Sequence, residues 1–346
     1  VGYGTVKKAI LTGAVATIDS KSIENRPITN SSQALQGLPG VYVNMNQGRP
    51  GADGANITIR GVSSYNTEMG SGPLVLVDGV EFSLRDVNPN DIEKVTVLKD
   101  AASAAIYGSR AQNGVVLITT KTGQKNTKVR IDYSGYLGIQ QATRLPDNVV
   151  TNTLEYMEGK NRALANEGRA AEYSQALMDE YRAGTDPYIY PNTDWFKVMF
   201  RNAAIQEHNL RLSGGSDRST YSVSLGYLDQ KGILPGSSAK KYSFSTNINS
   251  EVTPWLTIGS NVIATWWDNN EGAYTVNDGN GEGGIMGLIY RGLPMQTNLA
   301  QDGTYADQWI RVPGHNFFRN PYALSFEGRH INKSLRGIAN LYAQIN

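Results

Sequence analysis

Strict two-residue alternation of apolar and polar side chains, sustained over runs of about ten residues, constrains this chain more than any other feature. In 131–140, Ile131, Tyr133, Leu137 and Ile139 share one face, while Asp132, Ser134, Tyr136 and Gln140 take the other. The same grammar recurs in 208–213, 220–229, 242–248, 256–266 and 335–345. Period-2 patterning means strands with one greasy and one polar face. A soluble sandwich and a membrane barrel both produce it. Three details favour the barrel. Runs of this length exceed the usual five or six residues and match the ~9–11 that cross a bilayer. Tight turns at 214–218 and 252–255 sit between much longer connections, before 206 and after 268, as in outer-membrane barrels. Aromatics mark strand ends: eleven steps from Trp255 to Trp266 rise roughly 28 Å when tilted, against an apolar band of ~25 Å.

The first third reads differently. Up to about Gly123 it is mixed α/β, with short strands at 41–44, 56–60, 74–78, 93–98 and 115–120, and short helical stretches at 32–38 and 101–107. Asp78-Gly79 between Leu74–Val77 and Val80–Phe82 is a hairpin signal, and Asp100 is placed to cap the second helix. The chain therefore divides into 1–123, a compact domain, and 124–346, the β-rich part. Within the latter, 151–184 reads as a helical connection. Asn152 with Glu155 resembles a capping box, and Tyr173, Leu177 and Tyr181 form a stripe.

Composition removes most alternatives. Lys and Arg number 32 against 31 Asp and Glu, a formal charge of +1, which leaves no footprint for nucleic acid. No cysteine is present, so disulfides, thiolate nucleophiles and Cys-ligated metals are excluded. His208, His315 and His330 are isolated and lack metal-ligand spacing. No nucleophile elbow, zinc-protease or complete phosphate-loop motif occurs, so the chain reads as a non-enzyme without cofactor or metal. No run approaches the ~18 apolar residues of a membrane helix, a test blind to β-barrels. The chain opens on Val1 without a signal peptide and reads as a mature or truncated product.

Several longer strings resemble one family, the SusC/RagA-type TonB-linked outer-membrane transporters of Bacteroidetes. They include Leu35-Gln36-Gly37-Leu38-Pro39-Gly40-Val41, Ile57-Thr58-Ile59-Arg60-Gly61-Val62, and Pro73-Leu74-Val75-Leu76-Val77-Asp78-Gly79. The most specific runs from Asn88-Pro89-Asn90-Asp91-Ile92-Glu93-Lys94-Val95 to Gly108-Ser109-Arg110-Ala111-Gln112-Asn113-Gly114-Val115. The resemblance implies a plug domain inside a transmembrane β-barrel of about 22 strands. Only about six strands are legible here, so the sequence reads as the front part of a longer protein.

By that resemblance the protein imports a nutrient, oligosaccharide or oligopeptide, across the bacterial outer membrane. A SusD-like surface lipoprotein would act as its lid, and the TonB–ExbB–ExbD complex would supply the energy. Coupling would fall on the extreme N-terminus, Val1, Gly2, Tyr3 and Gly4. Aromatics in or near the long loops are the candidates for substrate: Tyr65, Trp195, Trp267, Tyr274 and Trp309. Trp266 belongs to the lipid-facing girdle, and Trp267, of opposite parity, points into the lumen. Arg60 and Asp78, at plug strand ends, are the candidates for contact between plug and barrel wall. The rival reading is a soluble extracellular β-rich carbohydrate-binding module, in which the apolar strand faces would be covered.

Overall fold

The computed structural model describes residues 15–24, 26–45, 49–51, 55–61, 72–272, 284–306, 320–327 and 329–345. The short strands are β1 (Val15–Asp19), β2 (Val41–Met45), β3 (Ala55–Ile59), β4 (Leu74–Val77), β5 (Val80–Glu81), β6 (Ile92–Leu98) and β7 (Val115–Thr120). Five of them form a sheet of order β1-β6-β7-β4-β5, and β2 pairs with β3 alone. β4 runs parallel to β7 while the other pairs are antiparallel. Asp78 and Gly79 close the β4–β5 hairpin with φ of 47° and 88°, the left-handed pair that a two-residue turn requires. A core of Leu35, Ile57, Ile59, Val77, Val87, Ile92, Val95, Val97, Val116 and Ile118 holds this unit together.

Local signals account for most of these elements. Asp100 Oδ1 accepts from Ser103 N at 2.7 Å and starts a helix at Ala101–Ala104. That helix tightens into a 3-10 stretch and breaks at Gly108, φ 67°. The stretch expected at 32–38 is a 3-10 turn over Ser31–Leu35, started by Asn30 in a capping box with Gln33. β1 has no alternation to announce it, because it is a short sheet edge.

Six long strands form the second sheet: β8 (Thr127–Gln140), β9 (Ala203–Gly215), β10 (Ser219–Lys231), β11 (Ser238–Thr253), β12 (Leu256–Gly272) and β13 (Arg329–Ile345). Their order is an uninterrupted antiparallel meander. They have 13 to 17 residues, longer than the ten or so that the alternation marks. At the rim bearing the long loops the pairing runs on through polar residues such as Lys231, Asn269 and Asn270, where no apolar alternation is needed.

This sheet is inverted relative to a soluble protein. On one face Glu207, Asn209, Ser222, Ser224, Gln230, Lys241, Ser243, Asn261, Thr265 and Asn269 are buried. On the other, Ile139 is 76% exposed, Leu335 75% and Leu341 77%, with Ile131, Leu210, Leu212, Leu225, Phe244 and Ile258 also exposed. A contiguous apolar face of this extent is untenable in water and suits a bilayer. The soluble sandwich reading fails on this point, because its apolar faces would be the covered ones. Near the long-loop rim, rings stack from strand to strand across the apolar face. Tyr133–His208 centroids lie 6.2 Å apart, His208–Tyr227 6.5 Å, Tyr227–Tyr242 5.1 Å and Tyr242–Trp266 5.2 Å. Trp255 is exposed at the opposite, tight-turn rim.

The connection between β8 and β9 carries helices Thr153–Asn166, Gln175–Ala183 and Trp195–Met199. Asn152 Oδ1 caps the first, accepting from Leu154 N and Glu155 N. The connection between β12 and β13 contributes Gly284–Arg291 and Pro321–Glu327. The two connections share cores: Met295 packs with Met157, Tyr173, Met178 and Tyr181, and Ile285 and Ile289 pack with Trp195, Phe196 and Met199. They form one helical module above the long-loop rim.

Two substitutions test this packing. Gly114 has φ +88°, and a Cβ there would lie 2.8 Å from Ile59 Cδ1 and 3.0 Å from the Leu98 carbonyl oxygen. Gly114→Ala is expected to destabilise the plug by about 2–4 kcal/mol, seen as faster protease cleavage of residues 15–120. Leu212→Arg, midway along the exposed apolar face, is expected to cost about 2–4 kcal/mol in a bilayer but within ~0.5 kcal/mol at a water-facing surface. Urea unfolding from lipid vesicles separates the two.

Candidate functional site: the contact between plug and barrel wall

The buried polar face of the six-stranded sheet is covered by the first unit, and one segment makes most of the contact. Residues 84–91 hold two 3-10 turns, Leu84–Asp86 and Pro89–Asp91. Asn88 Oδ1 accepts from Asn90 N at 3.0 Å and so starts the second turn. Leu84 and Val87 are buried in the plug core, which turns the intervening polar groups toward the wall.

Asp86 is the centre of this contact. It is 1% exposed, and its Oδ1 accepts from the Trp267 indole at 3.0 Å while Oδ2 meets the Arg336 guanidinium at 3.1 Å. Its carbonyl accepts from Thr265 Oγ1 at 2.6 Å. The buried Lys241 ammonium donates to the carbonyls of Arg85 and Val87 at 3.2 and 3.1 Å. Arg85 and Lys241 also lie over the Trp267 ring, at 4.8 and 5.2 Å from its centroid. Both cations thus lie within reach of one ring's π-system.

Further along, Asn88 Nδ2 donates to Asn209 Oδ1 at 2.7 Å and to Ser243 Oγ at 3.1 Å. Asn90 Nδ2 donates to Glu207 Oε1 at 2.7 Å. Asp91 Oδ2 accepts from Ser245 Oγ at 2.9 Å. Burial pushes the Asp91 carboxyl above its ordinary value of 3.8, outweighing the opposing pull of Ser224, Ser245, Lys121 and Lys241. A polar cavity of about 240 Å³ lies beside it, lined by Glu24, Lys121, Asp132, Arg211 and Ser224 among others.

A second contact lies nearer the long-loop rim. Arg49 pairs with Glu271 at 2.8 Å, and Gly51 sits so close to Asn269 and Ala239 that any Cβ would clash. Residues 49–51 therefore bring plug backbone against the wall. At the other rim Gly123 passes equally close to the backbone of Tyr221 and Gly214, where the chain leaves the plug for β8.

Of the residues expected from sequence, Asp78 reaches the wall. Its carboxylate accepts from Thr120 N and Thr120 Oγ1 at 2.9 and 2.6 Å, and from Asn261 Nδ2 of β12. Arg60 is exposed at the end of β3 with φ 58°. Trp267 faces the lumen but is 1% exposed beneath the plug, because Asp86 holds its indole and two cations cover its ring. Trp195 is 2% exposed inside the helical module and donates to the Leu293 carbonyl at 3.0 Å. Tyr65, Tyr274, Trp309, Val1, Gly2, Tyr3 and Gly4 lie outside the described residues. Sequence reasoning missed Asp86, Asn88, Asn90, Asp91, Lys241 and Arg336. The signal was the crowding of Asp and Asn between Leu84 and Ile92, opposite strand positions already marked as polar. Among the described residues no group of three or more His, Asp or Glu is placed to hold a metal.

Comparison with known proteins places this geometry. Residues 7–115 match the TonB-dependent Receptor Plug Domain. TonB-dependent receptor P26 of Formosa agariphila is 34% identical over 92% of this chain and 31% of its own length. TonB-dependent receptor SusC of Bacteroides thetaiotaomicron is 38% identical over 72% of this chain and 24% of its own. The RagAB peptide importer in its open-open state aligns over the whole chain and 40% of the matched chain, with TM-score 0.76 and 29% identity. This chain thus spans about a third of the length of the relatives it matches. A plug seated on the polar face of an outward-greasy sheet, with these relatives, shows that the chain belongs to the SusC/RagA-type TonB-dependent receptors, outer-membrane proteins built from a plug and a β-barrel.

Proposed function

We propose that this chain is the plug and first wall segment of an importer that carries an oligosaccharide or oligopeptide across the outer membrane with a SusD-like surface lipoprotein. The observation that carries the proposal is the composition of the contact between plug and wall. Inside the plug the core is apolar, whereas segment 84–91 meets the wall mainly through hydrogen bonds. A neutral bond of this kind contributes only about 0.5–1.5 kcal/mol net and one to a charged group about 1.5–3, and water can replace the partner in either as the contact opens. The plug can therefore part from the wall more readily than its own core can be broken. Pulling by the TonB–ExbB–ExbD complex at residues 1–4 would open a path along the polar wall, and Trp267 would meet passing substrate only after the plug moves. Tyr65, Tyr274 and Trp309 are the proposed first contacts for substrate, and Trp195 supports the loop module.

The decisive experiment ties the plug to the wall. Asn88 touches Ser243, so Asn88→Cys with Ser243→Cys, in a full-length protein stripped of any other cysteine, gives a specific pair for a short bis-methanethiosulfonate, which each thiol attacks with loss of methanesulfinate to form a disulfide that a reductant cleaves. Bridging is expected to abolish uptake by the full-length protein in cells while surface binding of substrate persists, and cleavage restores uptake. Full uptake with the bridge intact would sink the proposal.

The Asp91 carboxyl gives the contact a pH dependence of known sign. Its pKa is raised in the folded protein, so the associated stability is fully present below the unfolded value and lost as pH climbs through the folded one. Plug seating should be tighter in acid than at neutral pH, measured as protection of residues 84–91 from hydrogen exchange. Asp91→Asn, which keeps shape without charge, should flatten that profile.

A further inference from the structure

The apolar face of the sheet carries a built feature that the import reading does not use. Just below the aromatic ladder runs the register row Leu210, Leu225, Phe244 and Ala264. Between that row and the rings lies an apolar groove of about 540 Å³, lined also by Gly226, Ser243 and the small Ala264. Directly above the ladder the next row is charged: Asp229 lies opposite Lys240, Lys240 opposite Asp268, and Asp268 opposite Lys333. Lys231 lies two residues beyond Asp229 on β10.

Each acid in that row has a lysine beside it, Lys231 at 3.4 Å from Asp229 and Lys333 at 3.8 Å from Asp268. Lys240 stands between the two pairs and leaves one positive charge in excess, immediately above the open groove. Aromatic girdles mark the boundary between headgroups and hydrocarbon. The row therefore lies at headgroup depth on the long-loop side, which in such barrels faces outward, and the groove lies at acyl-chain depth. Lysine stems bridge those two levels.

We propose that this face binds one molecule of the outward leaflet's phosphorylated glycolipid, with a phosphate at Lys240 and an acyl chain in the groove beneath it. The site rests on the outer-membrane placement of the chain but not on import. It would hold the lipid beside β10–β12, behind the wall that Asp86, Asn88 and Asp91 contact, and so stiffen the strands on which the plug is seated.

The test uses the full-length protein, extracted from the outer membrane into phosphatidylcholine nanodiscs doped with either bis-phosphorylated or dephosphorylated lipid A. Thermal unfolding should shift upward with the phosphorylated form and much less with the other. Lys240→Gln should weaken the apparent affinity about fivefold, the scale expected for one lysine at an anionic headgroup layer. Ala264→Phe, which fills the groove, should reduce stabilisation by both forms. Lys197→Gln, in the helical module, should change neither. Equal stabilisation by the two lipids, or unchanged titrations in both site variants, would overturn the lipid site. A protein that stays folded and dispersed without detergent or lipid would instead overturn the membrane placement on which the site depends.

Discussion

A polar face on a membrane sheet needs either water or protein against it. Here the six long strands turn their apolar side outward and bury Glu207, Asn209, Lys241, Asn261 and Thr265 on the inner side. A buried lysine or glutamate without partners costs several kcal/mol. Segment 84–91 supplies those partners through main-chain carbonyls, asparagine amides and two carboxylates. The rest of the structure follows from that match. The plug must present loops rather than a strand edge to the wall, and the wall must keep its large apolar residues outside.

The same contact reconciles stability with motion. Apolar interfaces of this extent would weld plug to wall, since each buried large aliphatic side chain contributes about 1.5–3 kcal/mol. A hydrogen-bonded interface can instead exchange its partners for water as it opens. The plug's own core, with Val77, Val97 and Val116 fully buried, is therefore the stronger unit. Among the described residues, Ile263 and Ile338 are wall residues that join the plug core, and they pin it at one place.

Two architectures, one apolar inside and one apolar outside, thus meet along a polar seam. The helical module above the long-loop rim is a third, with small cores drawn from both long connections. Several of its aromatic residues pack inward, as Trp195 and Tyr173 show, although Tyr290 is exposed. Aromatic identity near a rim is thus insufficient evidence of a ligand contact.

Much of this architecture was legible in the sequence because it rests on local periodicity and turn chemistry. Alternation placed Ile131, Tyr133, Leu225 and Trp266 on one face and Ser224, Asn261 and Trp267 on the other. Asp78-Gly79, Asp100 and Asn152 act through neighbouring backbone and were readable for the same reason. The 3-10 character of 31–35 and 105–111 was not, since it depends on how each turn packs against the sheet. What only the tertiary structure decided was partnership across long separations. Asp86 meets Trp267 and Arg336, and Asn88 meets Asn209 and Ser243, through residues more than a hundred positions apart. Alternation tells which way a side chain points, but not whether lipid, water or another part of the chain lies there. That is settled only when the plug is set against the wall, where desolvation favours those placements in which buried polar groups find partners.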